Sequence, residues 1–100
     1  MILLYVTCKN KAEAKKIASH LLKNRLITCS NFFPIDSMYR WKNKIVNDKE
    51  YVLILKSFKQ KQEKIIKAIE KIHSYEIPCI EVIETKSNRK YQKWSEGEVK

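Results

Sequence analysis

The run His73-Ser74-Tyr75-Glu76-Ile77-Pro78 sets an imidazole, a phenol and a carboxylate side by side and closes on a proline. An imidazole ligates borderline metals and a carboxylate adds an oxygen donor, so this run carries the residue types of a divalent-cation site. The residue before a proline is pushed out of the helical region, which makes Tyr75-Glu76-Ile77 a loop, and loops carry binding residues more often than regular elements do. A plainer reading stands beside this one. His73 ends a helix by meeting its last carbonyls, while Tyr75 and Ile77 plug the core beneath.

The flanking elements place that loop at a joint. From Lys61 to Ile72 the apolar residues Ile65, Ile66, Ala68, Ile69 and Ile72 recur at helical spacing, and Cys79 to Thr85 reads as extended. Upstream, Ile2 to Thr7 reads as a strand buried on both faces. Asn10 offers an N-cap with Glu13 completing a capping box, and Ala14, Ile17, Ala18, Leu21 and Leu22 form one stripe of a helix over Lys11 to Lys23. Asn24 is expected to end it in the left-handed conformation. Leu26 to Phe33 is a second strand closed by Pro34. Ser37 to Trp41 and Lys44 to Val46 form an extra hairpin about a tight Lys42-Asn43 turn. Glu50 to Phe58 is a long strand with both faces largely apolar, and Ser87 to Trp94 holds a short C-terminal helix.

Strand, helix, two or more strands, helix, strand is the ferredoxin-like α+β order, an antiparallel sheet with two helices on one face. Residues 1–100 make a single domain. The second sheet face stays uncovered, and Val52, Ile54 and the apolar side of the hairpin are too many to expose. Sheet packing between subunits would bury them.

Lysine and arginine number 21 against 11 acids, a formal charge of +10, which raises nucleic acid or an anionic ligand as a partner. The lysines are spread over both helices, the hairpin and the tail, as solvated faces would be, and no recognition helix or zinc-finger spacing accompanies them. No specific nucleic-acid partner is expected. Three cysteines, Cys8, Cys29 and Cys79, form no CxxC pair and lie in or beside predicted strands, which suits buried thiols in a reducing compartment. No run approaches the roughly 20 apolar residues of a membrane span. A cytoplasmic protein without membrane insertion is the expectation.

Taken in order, Ile27-Thr28-Cys29-Ser30-Asn31, Tyr39-Arg40-Trp41-Lys42-Asn43-Lys44-Ile45, Asp48-Lys49-Glu50 with Ile54-Leu55-Lys56-Ser57, the His73 to Pro78 run, and Tyr91 with Trp94 resemble the CutA family of divalent-cation tolerance proteins over nearly the whole chain. Asn43 stands where glycine is usual after Trp-x, and Ser74 where a proline is usual between the histidine and tyrosine. The resemblance implies a ferredoxin-like homotrimer, similar to nitrogen-regulatory signalling trimers, linked to tolerance of copper and other divalent metals. It implies no catalysis.

On that resemblance Cys29, Tyr39, Trp41, Glu50, Lys56, Tyr75, Glu76 and Trp94 gather at a cleft between subunits. Such a set can bind: Lys56 suits a small anionic ligand, while the carboxylates and thiol suit a metal ion. Structurally the same residues read as interface aromatics plus a Glu50–Lys56 bridge. No glycine-rich phosphate loop and no HExxH is present, so no enzyme is expected. No cofactor is required. Copper ligation in bacterial relatives is attributed to positions matching Val6, Ile72 and His73, which leaves His73 as the one surviving ligand for copper or another divalent cation. Strand alternation puts Cys8 on the same side as Val6, so a rearranged soft-metal site is open.

Overall fold

Alternation along β1 (Ile2–Cys8) buries Ile2, Leu4, Val6 and Cys8 on one side and turns Leu3, Tyr5 and Thr7 to the other. The computed structural model describes Met1–Lys100. Helix α1 (Lys11–Lys23) starts at Asn10, whose Oδ1 accepts the Glu13 N–H at 2.9 Å. The reciprocal half of the expected capping box differs: Glu13 Oε1 accepts from the Lys9 N–H at 2.9 Å instead of the Asn10 N–H. The end of α1 also differs from expectation. Arg25, at φ 57°, is the left-handed residue, while Asn24 keeps φ −92° and its amide donates to the His20 carbonyl at 2.8 Å.

Two long strands replace the four shorter ones read from the sequence. β2 (Cys29–Trp41) and β3 (Lys44–Ser57) pair without a break from Cys29↔Lys56 to Trp41↔Lys44, so the hairpin is the outer half of one ribbon rather than an extra unit. Pro34 sits opposite Tyr51 inside β2. The sheet order β2-β3-β1-β4 leaves β2 on an edge, where alternate N–H groups have no ladder partner and a proline is tolerated. Lys42 and Asn43 both take positive φ, 49° and 65°, the requirement of a type I′ turn. Leu26 to Thr28 precede the strand as a linker, with the Leu26 carbonyl accepting from Ser57 Oγ at 2.6 Å.

A 3₁₀ turn (Lys59–Lys61) leads into α2 (Gln62–Ile72), and β4 (Ile80–Glu84) returns beside β1. Ala14, Ile17, Ala18 and Leu21 of α1 and Ile65 and Ile69 of α2 pack on the core face of β1 and on Leu53 and Leu55 of β3. The last helix, α3 (Arg89–Glu98), begins after Ser87 and runs past Trp94, where the expected one ends. Arg25 ties it back through Glu98 at 2.8 Å, and the Lys100 N–H meets the Arg25 carbonyl.

The opposite sheet face is packed by neither α1 nor α2. By register it carries Tyr5, Phe33, Val52, Ile54 and, toward the hairpin, Glu50, Tyr39 and Trp41. Phe33, Tyr39 and Trp41 on this face, like Met38 and Ile45 on the hairpin, are exposed in the single chain.

Candidate functional site

His73 caps α2, its N–H donating to the Ile69 carbonyl at 2.8 Å, and leaves the helical region so that the chain turns across the end of β1. Its Nε2 lies 2.8 Å from the Thr7 carbonyl, which can only accept, so Nε2 carries the proton. Nδ1 accepts the Tyr75 N–H at 3.0 Å. Both ring nitrogens are therefore engaged, and the ring orients Tyr75, whose own ring lies 4.8 Å away.

Tyr75 reaches round the sheet end and donates its hydroxyl to Glu50 Oε2 at 2.6 Å. Glu50, only 7 % exposed, lies on the uncovered face of β3. Burial first, then the bond to Glu50, pushes the Tyr75 phenol above its ordinary pKa, so it stays a donor. Ile77 does not plug the core: it is 71 % exposed, because Tyr75 takes the inward position and the loop turns Ile77 outward.

These residues wall a cleft of about 470 Å³. Tyr39 and Trp41 of the hairpin form one side and the Ser74 to Ile77 loop another, while Thr7 and Cys79 stand at the strand ends. Glu50 and Glu76 are its only charged residues, with no lysine or arginine in the lining. Tyr39 is held at the rim by donating to Asp48 Oδ2 at 2.6 Å. Of the eight cleft residues expected from the sequence, Tyr39, Trp41, Glu50, Tyr75 and Glu76 meet here.

Cys29, Lys56 and Trp94 do not. Cys29 pairs opposite Lys56 at the other end of the sheet, where the Lys56 ammonium lies 5.5 Å from the centroid of the Tyr91 ring, itself tilted against Trp94. The expected Glu50–Lys56 bridge is absent for a simple reason: six residues of strand separate the two by about 20 Å. Thr7, Ser74, Ile77 and Cys79 line the cleft beyond the residues expected there. Thr7 could have been found from the β1–β3 register, which sets it opposite Val52 beside Glu50.

Beneath the loop, donor atoms of Cys8, Glu13 and His73 lie within 4.8 Å of one another. Cys8 is fully buried on the side of Val6, as strand alternation requires, whereas Cys29 and Cys79 are half-buried. All three groups have other work. Glu13 accepts the Lys9 and Ser74 N–H groups, one on each oxygen, at 2.9 Å. Burial opposes its ionisation, but hydrogen bonds from Ser74 and Lys9 and the nearby His73 outweigh that and hold Glu13 below the usual carboxylate range. Burial, with Glu13 and Glu50 adding to it, pushes the Cys8 thiol up to about 12, so it stays protonated. A metal here has to displace several short hydrogen bonds and a thiol proton.

The split sheet topology, with a cleft at one sheet end, defines a ferredoxin-like α+β protein. The family model described as CutA1 divalent ion tolerance protein matches residues 2–98. The chain belongs to that family. The divalent-cation tolerance protein CutA of Thermotoga maritima is 44% identical over 80 residues, covering 80% of this chain and 79% of the relative. The crystal structure of CutA1 from Pyrococcus horikoshii superposes with a TM-score of 0.97 at 36% identity, covering 100% of this chain and 99% of that one. The structure described as the periplasmic divalent cation tolerance protein CutA from Archaeoglobus fulgidus gives 0.97 at 31% identity, with both chains covered in full. The ferredoxin-like fold expected from the order of strands and helices is the fold found. No helix is long and apolar enough to cross a membrane.

Proposed function

We propose that the protein is a non-catalytic homotrimer that holds a small cation in the cleft between the hairpin and the Ser74 to Ile77 loop, and so takes part in the response to divalent metals. The observation that carries this reading is the charge of the cleft. In a chain of formal charge +10, the cavity is lined by Glu50 and Glu76 and by no basic side chain. That lining favours a cation and disfavours the anionic metabolite that Lys56 suggested, since Lys56 sits at the far end of the sheet. Membership of the divalent ion tolerance family supports the same sign of ligand.

Trimer formation is supported by the exposed Phe33, Tyr39 and Trp41 of β2, which need a partner sheet, although Val52, expected among the exposed residues, is already buried within the single chain. Absence of catalysis is supported by the state of the candidate groups: Cys8 stays a thiol and both nitrogens of His73 hold backbone groups. Three unpaired thiols support a cytoplasmic location. Native mass spectrometry of protein purified without added metal tests both assembly and ligand. The expected spectrum is a trimer that gains mass with cations; a monomer, or a trimer that takes up anions alone, overturns the reading.

A further inference from the structure

We propose that the cleft is built for an organic ammonium, a protonated amine with an apolar body, rather than for a bare metal ion. This deepens the reading of the cleft as a cation site and rests on it. Glu50 is 7 % exposed, and its carboxylate takes one side-chain hydrogen bond, from Tyr75 to Oε2. Oε1 receives none from the chain, and because Glu50 lines the cavity this free acceptor is open to a donor bound there. A divalent ion asks for several ligands in fixed geometry. The cleft supplies the carboxylates of Glu50 and Glu76 and the Cys79 thiol, which burial and then Glu81 hold in its protonated form, and the one cluster of three ligand atoms in the chain lies beneath the loop, not in the cleft.

The remaining walls suit carbon and positive charge together. Trp41, Tyr39 and Ile77 present apolar surface, and aromatic faces attract ammonium groups. Trp41 already takes one from the chain itself, with Lys42 Nζ 5.8 Å from its ring centroid. The volume of about 470 Å³ falls in the range of small-molecule sites and far exceeds that of a bare ion. An N–H of the amine meets Glu50 Oε1 at the floor, its carbon chain lies along Trp41, and Glu76 at the exposed rim adds a second negative charge.

The chain has two tryptophans, so Trp94→Phe leaves Trp41 as the only indole reporter. In that background, emission and calorimetry are followed while 1,4-diaminobutane, tetramethylammonium, butyrate and zinc chloride are titrated at constant ionic strength. The expected result is saturable binding of 1,4-diaminobutane, at least tenfold weaker binding of tetramethylammonium, which has no N–H, and none of butyrate. Glu50→Gln should weaken the diamine at least tenfold and Glu76→Gln severalfold. Because Glu50 is buried and Glu76 is exposed, the second variant keeps the test valid if the first fails to fold. Diamine affinity unchanged in Glu76→Gln and in any folded Glu50→Gln overturns the proposal, as does equal binding of butyrate. Tight zinc binding lost in the same variants, without diamine binding, sinks the ammonium and leaves the cation cleft standing. Silence toward every cation removes both.

Discussion

The Tyr75 hydroxyl and the Glu50 carboxylate meet at 2.6 Å across the end of the sheet, joining the loop after α2 to the face of β3 opposite α1 and α2. His73 makes that reach geometrically available by fixing the loop on the Thr7 carbonyl and taking the Tyr75 N–H on its other nitrogen. The cleft therefore depends on a chain of three contacts that begins at a helix cap. Tyr75→Phe removes the donor and leaves a buried carboxylate oxygen unsatisfied, a loss of about 1–3 kcal/mol. Urea denaturation should show it as a lower midpoint with an unchanged slope. An unaltered midpoint would mean that the bond does not hold in solution.

Glu13 predicts an acid limb in the stability curve. Its folded pKa lies below the ordinary 4.5, so the stability it contributes is complete above the unfolded value and is lost as pH falls through the lower folded one. Melting temperature should drop as pH is taken from about 5 downward. Glu13→Gln should be less stable at neutral pH and show a shallower decline in acid. A decline as steep as that of the unsubstituted protein would assign the limb to other carboxylates.

What the sequence made legible was whatever depends on neighbours along the chain. The α1 stripe, the Asn10 cap and the Lys42-Asn43 turn follow from local spacing and backbone preference, and each is found. Local signals alone end the strand at Pro34, whereas its tolerance within β2 depends on lying at a sheet edge, which is a property of topology. The division of the candidate residues was hidden for a similar reason. Glu50 and Lys56 share a strand and a face, yet only the register and the path of the loop decide that Tyr75 joins one and Tyr91 the other. The engagement of Glu13 with Ser74 spans 61 residues and leaves no local trace.

Copper binding should be weak. His73 is the ligand that the family resemblance leaves, and divalent copper must break its bond to Thr7 or to Tyr75 before coordinating. Calorimetry with thiols kept reduced should give no tight stoichiometric uptake of divalent copper. His73→Ala should cost about 1–3 kcal/mol of stability through the two lost hydrogen bonds, whether or not metal is present. Tight binding that survives this substitution would place the ligands elsewhere.

Trp41 should govern assembly more than folding. It lies on the uncovered face next to the β2–β3 turn and remains 37 % exposed in the single chain, so truncating it opens no cavity among the core residues that α1 and α2 bury. Its role, if the apolar face is closed by partner sheets, is that of an interface aromatic, the class that dominates binding energy when truncated. Trp41→Ala should weaken trimer formation by about 2 kcal/mol or more, roughly thirtyfold in the association constant, while leaving circular dichroism unchanged. Lys15→Ala, on the exposed side of α1 and remote from that face, should leave assembly intact. Sedimentation over a concentration series separates these variants. A trimer as tight in Trp41→Ala as in the unsubstituted protein would move the contact away from the hairpin, and a monomeric unsubstituted protein at micromolar concentration would remove the trimer itself.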